Sequence, residues 1–353
     1  MAKAGIGIGI GIDISTSAIR AVELTGLSKA RPMLLHFYEI PLPPGAVDRG
    51  EVIEPVAVAD ALKKLWKLGK FSGKDVVLGV GNSRVLVRDL TVPTMSIDQI
   101  RESLPFQVQE MLPFPPENAL LDFYPIRAES GANGPVIHGL LVAAIKAAVL
   151  GNVTAVQLSG LNPIRVDLLP FALSRVLLRS VRPTGTTAII DIGGSTTTVV
   201  VVTDGVPQFI RIMPTGGDDL TASIASGLGL SIQHADLAKR AIGLNAAISN
   251  EQDGAVLAIS RTITRELIGS LQNTLSYFVG SRPNNSVDRI VLTGRGSLLS
   301  GFALALSELT RLPVVRGNPL DSVDISGRLD RDQAWEAAES LAVAIGLALG
   351  VAA

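Results

Sequence analysis

The chain carries one short design twice, and that repetition limits the fold more than any other feature. The first copy is Gly11-Ile-Asp13-Ile-Ser15-Thr16-Ser17, followed by Ala18-Ile-Arg-Ala-Val-Glu-Leu24. The second is Ile189-Ile-Asp191-Ile-Gly193-Gly194-Ser195-Thr196, followed by Thr197–Thr203. Each reads as an apolar strand ending in Asp-Ile, a tight turn of small or hydroxyl residues, and a second strand. A further turn, Thr25-Gly26 or Asp204-Gly205, leads into a third strand, Met33–Ile40 or Phe209–Met213. Asp-Gly between apolar runs signals a hairpin, because both residues tolerate the positive φ that such turns need. Both meanders run into helices. Val58, Leu62, Leu65 and Trp66 share one face of Glu54–Leu68, and Leu220, Ile224 and Leu228 recur every four residues in Asp218–Leu228. A unit of this length present twice is a duplicated α/β domain, not a short-period solenoid.

The stretch between the copies, about Val85–Pro163, has its own character. It holds Pro93, Pro105, Pro113, Pro115 and Pro116. A helix from Asp98 turns Ile100, Leu104, Val108, Met111 and Leu112 inward, and Pro105 should kink or split it. Val136–Ala144 reads as a strand, Ala147–Leu158 as a helix, and Glu129–Pro135 as a turn or flexible tip. This is an inserted α+β subdomain. After the second copy come helix-rich residues to Val279 and a strand at Arg289–Leu292. The turn Thr293-Gly294-Arg295-Gly296-Ser297 follows, then a helix at Gly301–Leu312. The closing helix Ala334–Leu349 has an Ala/Gly-rich face suited to close packing.

Composition removes several function classes. With 31 Lys+Arg against 32 Asp+Glu and 4% aromatics, the chain lacks the basic field and stacking platforms of a nucleic-acid binder. Zero Cys removes thiolate metal sites, disulfides and cysteine nucleophiles. His36, His138 and His234 have no ligand spacing. No Walker A pattern occurs, and Gly5–Gly11 alternates with Ile rather than forming G-x-G-x-x-G. The start lacks a signal-peptide pattern, and the apolar end from Ser340 is too short to span a bilayer. The expectation is a cytoplasmic protein without direct membrane insertion.

The duplicated turns can carry chemistry. A tight turn of Gly, Ser and Thr after a strand gathers backbone N–H groups and hydroxyls that bind phosphate oxygens. An Asp just before it can hold a hard cation through waters, because Mg²⁺ dehydrates reluctantly. Two facing turns would clamp a polyphosphate, and the third turn would support a nucleoside, with Gly294 and Gly296 allowing close approach of a flat base. Each turn alone reads equally as a hairpin or a strand-to-helix connection. Their order points to a nucleotide cleft.

That ordered trio resembles the phosphate-1, phosphate-2 and adenosine motifs of the actin-like ATPase superfamily. Leu90-Thr-Val-Pro93, Gln107-Val-Gln-Glu-Met-Leu-Pro113-Phe114, Leu141-Val-Ala-Ala, and Leu161-Asn-Pro-Ile-Arg-Val-Asp167-Leu-Leu-Pro-Phe171 resemble the PilM family. Its members are cytoplasmic actin-like proteins of the type IV pilus inner-membrane platform. Thr215-Gly216-Gly217-Asp218-Asp-Leu-Thr221 resembles that family's Gly-Gly-Asn/Asp-x-Thr segment. Arg295 stands where a third Gly is common, and His234 where an acidic residue is frequent.

The resemblance implies a duplicated actin-like ATPase fold, two halves around a nucleotide cleft. The first half would comprise 1–84, 164–190 and 333–353, the inserted partner-binding subdomain 85–163, and the second half 191–332. It further implies ATP and Mg²⁺ as ligands. Asp13 and Asp191 would organise the Mg²⁺ hydration shell. Ser15, Thr16 and Ser17 would contact phosphates, facing Gly193, Gly194, Ser195 and Thr196, with Gly216 and Gly217 nearby. Gly294, Gly296 and Ser297 would flank the adenosine. Glu266 would hold the ribose, unless it is simply an exposed helix Glu, and Lys239 could reach the base or be solvated. Asp167 would orient the attacking water, or else cap the helix Leu168–Leu178.

Hydrolysis by the chain alone would be slow at most. The implied partners are the cytoplasmic N-terminal tail of a PilN-type bitopic membrane protein and other pilus platform or motor proteins. They would hold the chain peripherally at the inner membrane. Phe106, Met111 and Phe114 would line the tail groove or else form the subdomain's own core. The competing readings are a filament-forming FtsA-like protein and a sugar-kinase-like enzyme. The first is disfavoured by an end, Gly-Leu-Ala-Leu-Gly-Val-Ala-Ala, with no basic face.

Overall fold

A computed structural model describes residues 7–131, 134–179, 184–282 and 286–352. The first copy forms β1 (Ile8–Ile14), β2 (Ala18–Thr25) and β3 (Met33–Pro41), an antiparallel meander. A small hairpin, β4 (Val47–Asp48) and β5 (Glu51–Val52), leads into α1 (Pro55–Gly69). Pro55 sits in the first turn, where its missing N–H costs nothing, and Lys70 ends the helix in the left-handed region at φ 55°. β6 (Asp75–Val80) then returns parallel to β1. The chain departs through β7 (Leu86–Pro93), α2 (Ile97–Gln107), β8 (Ala119–Gly131) and β9 (Gly134–Ile145). It comes back through α3 (Lys146–Leu158), β10 (Asn162–Leu168) and α4 (Leu169–Leu177).

The second copy is β11 (Thr186–Ile192), β12 (Thr197–Thr203) and β13 (Val206–Met213), followed by α5 (Gly217–Leu228), α6 (Ile232–Ile242) and α7 (Glu251–Ser281). Then come β14 (Arg289–Thr293), α8 (Phe302–Thr310), β15 (Val314–Arg316), β16 (Asp324–Ile325) and α9 (Arg331–Leu349).

The two main sheets have the same plan. One runs β10-β6-β1-β2-β3-β16 and the other β15-β14-β11-β12-β13. The duplication holds to the atom. Asp13 faces Arg20 across its hairpin as Asp191 faces Thr198. Ser15 N–H donates to the Ala18 carbonyl at 3.0 Å, as Gly193 N–H does to Thr196 at 2.9 Å.

Between the sheets lies a helical layer of α4 and α9. Its apolar residues pack with Val22, Leu34 and Val77 of one sheet and Ile189, Val200 and Val291 of the other. The alternating glycines at the start of the chain serve this layer. A Cβ on Gly9 would stand 2.3 Å from the Ala348 carbonyl oxygen, and one on Gly11 2.1 Å from that of Ala344. A Cβ on Gly346 would likewise stand 2.1 Å from the Ala172 carbonyl oxygen. Outside the first sheet lie α1 and α3, and outside the second α7 and α8.

The topology moves three expected boundaries. β11 pairs throughout with β12 and β14, so a division after residue 190 would cut a strand of the second sheet. α3 packs on α1 through Ala155 and Val156, so the inserted subdomain ends near Ile145 rather than at 163. β16 pairs with β3, so residues 324–325 join the first sheet before 332.

The inserted subdomain is the sheet β7-β9-β8 with α2 against it, closed by Val92, Ile100, Leu104, Val108, Phe123 and Leu141. Contrary to expectation, Pro105 stays inside α2, which continues to Gln107. Arg101 and Pro105 are both exposed. Water can therefore take the Arg101 carbonyl that Pro105 cannot bond. β8 runs on to Gly131 and β9 begins at Gly134, so strands enter the expected loop from both sides, and its tip at 132–133 lies outside the described residues.

The helical layer makes a testable distinction between glycines. Gly11→Ala should lower stability by about 3 kcal/mol or more, because backbone opposes the new methyl group. Gly269→Ala, in the interior of α7 with open space around it, should raise stability by up to about 1 kcal/mol. Denaturant melts of the two variants check this. Equal effects would mean that the layer is not in backbone contact with β1.

Candidate functional site

The duplicated turns meet. A cleft of about 400 Å³ is lined by Asp13 and Ser15–Ser17 from the first half, and by Asp191 and Gly193–Thr196 from the second. Gly294, Arg295 and Gly296 of the third turn complete the wall, with Gly217, Asp218 and Lys239, and Glu339 of α9. The Thr16 and Ser195 hydroxyls bond each other at 2.7 Å across the two halves.

Each turn is held by a different device. The Ser15 hydroxyl donates to the Ala18 carbonyl and accepts from Arg20 Nη1, so it braces its turn. The second turn rests on α5. Gly217 N–H donates to the Gly193 carbonyl at 3.0 Å and Asp218 N–H to that of Gly194 at 2.8 Å. A Cβ on Gly216 would lie 2.3 Å from the Gly194 oxygen, so only glycine fits behind this turn.

The third turn leans on the same strand end. Gly294 has φ 84°, and a Cβ there would stand 2.3 Å from Asp191 Oδ1. A Cβ on Gly296 would stand 2.5 Å from Ile192 Cγ2. These glycines are therefore demanded first by turn-on-turn packing, a reason not expected from the sequence. Ser297 is buried and ties its hydroxyl back to the Gly294 carbonyl.

Negative charge collects on the cleft floor. Asp13 lies 3.3 Å from Arg20 Nη1, and the same guanidinium donates to Glu39 at 2.8 Å. Arg295, from the third turn, reaches across to Glu39 at 3.0 Å. Burial raises the Asp13 carboxyl pKa despite Arg20. Burial, reinforced by the neighbouring Asp13, pushes Asp191 up to about 7, and Glu339 adds to it. Asp218 is also raised, by burial, against the pull of Lys239. Arg20 is shared between two carboxylates, so the floor favours a further cation. Among the described residues no cluster of three or more His, Cys, Asp or Glu could hold a metal directly. Two hard carboxylates fit an ion that keeps most of its waters, which is how Mg²⁺ binds.

Some expected residues are elsewhere. Asp167 does not line the cleft. It pairs with Arg175 at 2.9 Å, and its Oδ1 accepts from the Leu168 N–H, while Leu168 itself occupies the cap position of α4 without a side-chain bond. The capping role expected for Asp167 is not met, and its carboxylate is engaged by Arg175 outside the cleft lining. Glu266 is exposed on α7, away from the cleft. Lys239 does line it, but its ammonium is spent on Thr221 Oγ1, the Gly217 carbonyl and Asp236. In the subdomain Phe106 is 85% exposed, Met111 packs against the core, and Phe114 is half-buried. Arg20, Glu39 and Glu339 went unnoticed in the sequence, and Asp218, quoted within the Gly-Gly-Asp segment, was given no role. The available signal was Arg20, which with Glu23 puts charge inside a strand of mostly apolar residues.

The family described as type IV pilus assembly protein PilM matches residues 11–351. Among solved structures, the PilM-PilN type IV pilus biogenesis complex superposes with a TM-score of 0.84 at 28% identity, covering 98% of both chains. The ethanolamine utilization protein EutJ of Carboxydothermus hydrogenoformans reaches 0.57 at 14% identity over 97% of this chain and 89% of that one, a likeness of fold alone. The cell division protein FtsA of Neisseria meningitidis serogroup B is 23% identical over 275 residues, 69% of this chain and 65% of the relative. FtsA of Bacillus subtilis is 29% identical over 107 residues, 30% of this chain and 24% of the relative. The chain thus spans less than two thirds of the length of these curated relatives. No helix of the described residues is long and apolar enough to cross a membrane. The α/β fold is that of the actin-like ATPases, and with its duplicated sheets matched along nearly their whole length, the chain belongs to the PilM family of type IV pilus assembly proteins.

Proposed function

We propose that this chain binds Mg²⁺ and ATP in the cleft and docks the cytoplasmic tail of a PilN-type membrane protein on its inserted subdomain, so that nucleotide state governs assembly of the pilus machine. The observation that carries the first part is the meeting of the two turns, Thr16 against Ser195, above Asp13 and Asp191. The ion would neutralise phosphate charge and the charge of the floor together. Asp13 and Asp191 would hold its waters. The backbone N–H groups of the two turns and the Thr16, Ser17, Ser195 and Thr196 hydroxyls would face the phosphates. Arg295, Gly296 and Gly217 would border the nucleoside. With Asp167 outside the cleft, no residue expected to position an attacking water remains, so turnover should fall well below the roughly 10 s⁻¹ typical of enzymes.

The second part is supported by the subdomain's surface. Phe106 is 85% exposed on α2, with Phe114 half-buried beyond the end of that helix. An exposed aromatic of this kind anchors short peptides, a few side chains carrying most of the affinity. The solved structure that this chain matches over 98% of its length is a PilM-PilN type IV pilus biogenesis complex, which supports a PilN-type partner.

Three measurements test these readings. Calorimetry should give ATP binding that needs Mg²⁺ and is weakened at least about tenfold by Asp191→Ala, the order of one lost charge-assisted contact. Equal affinities with and without the ion would remove the metal assignment.

The second concerns pH. The Asp191 carboxyl titrates near 7 when folded and near 3.9 when unfolded. Between these values the folded state keeps a proton that the unfolded state has released, so stability must fall as pH rises towards and through 7. Metal-free melts from pH 5.5 to 8.5 should show the melting temperature dropping by a few degrees. Asp191→Asn should flatten the slope, and Mg²⁺ should oppose it. A flat profile for the parent protein would contradict the charge argument.

The third is Phe106→Ala. It should cut affinity for a PilN-type tail peptide about tenfold or more while leaving melting and ATP binding unchanged. Undiminished peptide binding would place the groove elsewhere.

A further inference from the structure

We propose that the outer face of α1 and the turn after it dock onto the surface of an anionic phospholipid bilayer. Five of the chain's nine lysines, Lys63, Lys64, Lys67, Lys70 and Lys74, fall within twelve residues, and residues 61–74 contain no acidic residue. The net charge of the chain is −1, so this concentration is local. All five are exposed.

Helical spacing and the following turn put them on one face. Val58, Leu62 and Leu65 are buried towards the sheet, while Lys63, Lys67 and Lys70 recur along the outer side with Lys64 and Leu68 in the adjoining row. The chain then folds back on the last turn of α1. The Trp66 indole N–H donates to the Gly73 carbonyl at 2.8 Å, which holds Lys74 near the end of the helix. Lys63 pairs with Asp60 at 3.0 Å. Among the described residues the other four lysines have no ion-pair partner within 4.0 Å. Attraction to the C-terminal end of the helix dipole accounts for Lys67 and Lys70 only, since it fades beyond the last turn.

The neighbours of these lysines favour lipid over other polyanions. Leu68, beside Lys64 and Lys67, is 54% exposed. A bilayer interface takes ammonium groups and shallow apolar side chains together. Single-stranded nucleic acid would want aromatic platforms, and Trp66 here is partly buried and bonded. The apolar stripe of α1 itself is consumed by the core, so the face adsorbs without inserting.

Its position suits such a role. Lys74 precedes β6, whose opposite end at Gly79 and Gly81 lines the cleft, so the docked face and the cleft lie at opposite ends of the sheet. Each lysine at an anionic surface is worth about fivefold in partitioning. Four unpaired lysines therefore give weak, salt-sensitive adsorption that gains force beside a second attachment.

The test is flotation of the full chain with phosphatidylcholine vesicles, with and without phosphatidylglycerol. Binding should require phosphatidylglycerol and vanish at high salt. The triple variant Lys64→Gln, Lys67→Gln, Lys74→Gln should partition on the order of 100-fold more weakly, with melting and ATP affinity unchanged. Equal partitioning onto neutral vesicles, or a triple variant that binds like the parent, would overturn the proposal. So would tighter retention by duplex DNA or poly-glutamate than by anionic vesicles at the same salt. The vesicle readouts involve neither the tail peptide nor the nucleotide, so the proposal fails or stands apart from the proposed function.

Discussion

The contact on which the rest depends is backbone against backbone in the central layer. α9 lies directly on β1 because Gly9 and Gly11 have no side chain, and α4 lies on α9 because Gly346 has none. These approaches set the depth of the helical layer. That depth in turn fixes how far apart the two sheets stand, since both pack on it. The sheet separation brings the ends of β1 and β11 close enough for Thr16 and Ser195 to touch. The same layer delivers Glu339 to the floor of the cleft. Cores at crystal-like density transmit such constraints because few voids can absorb a shift.

The cleft's electrostatics follow from the duplication. Two equivalent strand ends bring two carboxylates together, a pairing that burial makes unfavourable unless a cation joins them. The protein supplies one cation, Arg20, and divides it between Asp13 and Glu39. The remainder falls on Asp191, whose carboxyl is pushed up to about 7 by burial and by the neighbouring Asp13. An arrangement that is strained by charge alone and relieved by a bound ion is characteristic of a binding site.

What the sequence showed and what it hid divide along physical lines. Asp13, Asp191 and the two turns were legible because a local pattern, strand then small residues, determines where they sit. The pairing of β11 with β14 and of β16 with β3 is nonlocal, and so the half boundaries slipped. α3 looked like part of the insertion because nothing in its own residues tells which neighbour its buried face will meet. Asp167 lay at a suggestive spacing before Asp191, but a strand end can direct a side chain to either side, and Arg175, nearly two helical turns into α4, claimed it. Glu266 is the exposed helix Glu of its alternative reading, since α7 is long and only one of its faces meets the sheet. The close approach at Gly294 and Gly296 to β11 could not be read, because glycine is equally at home beside a ligand or beside backbone.

The two copies of the turn have parted company in how they are secured. Each keeps a main-chain bond across its own bend; to this the first adds side chains, a guanidinium and a hydroxyl, whereas the second adds main-chain bonds to the opening of α5. Side-chain fasteners respond to ionic strength and to single substitutions. Main-chain fasteners respond to the integrity of a whole helix. A perturbation that unravels the first turn of α5 would therefore loosen one jaw of the cleft and leave the other intact, so that a symmetrical ancestry ends in a clamp whose two sides yield to different forces.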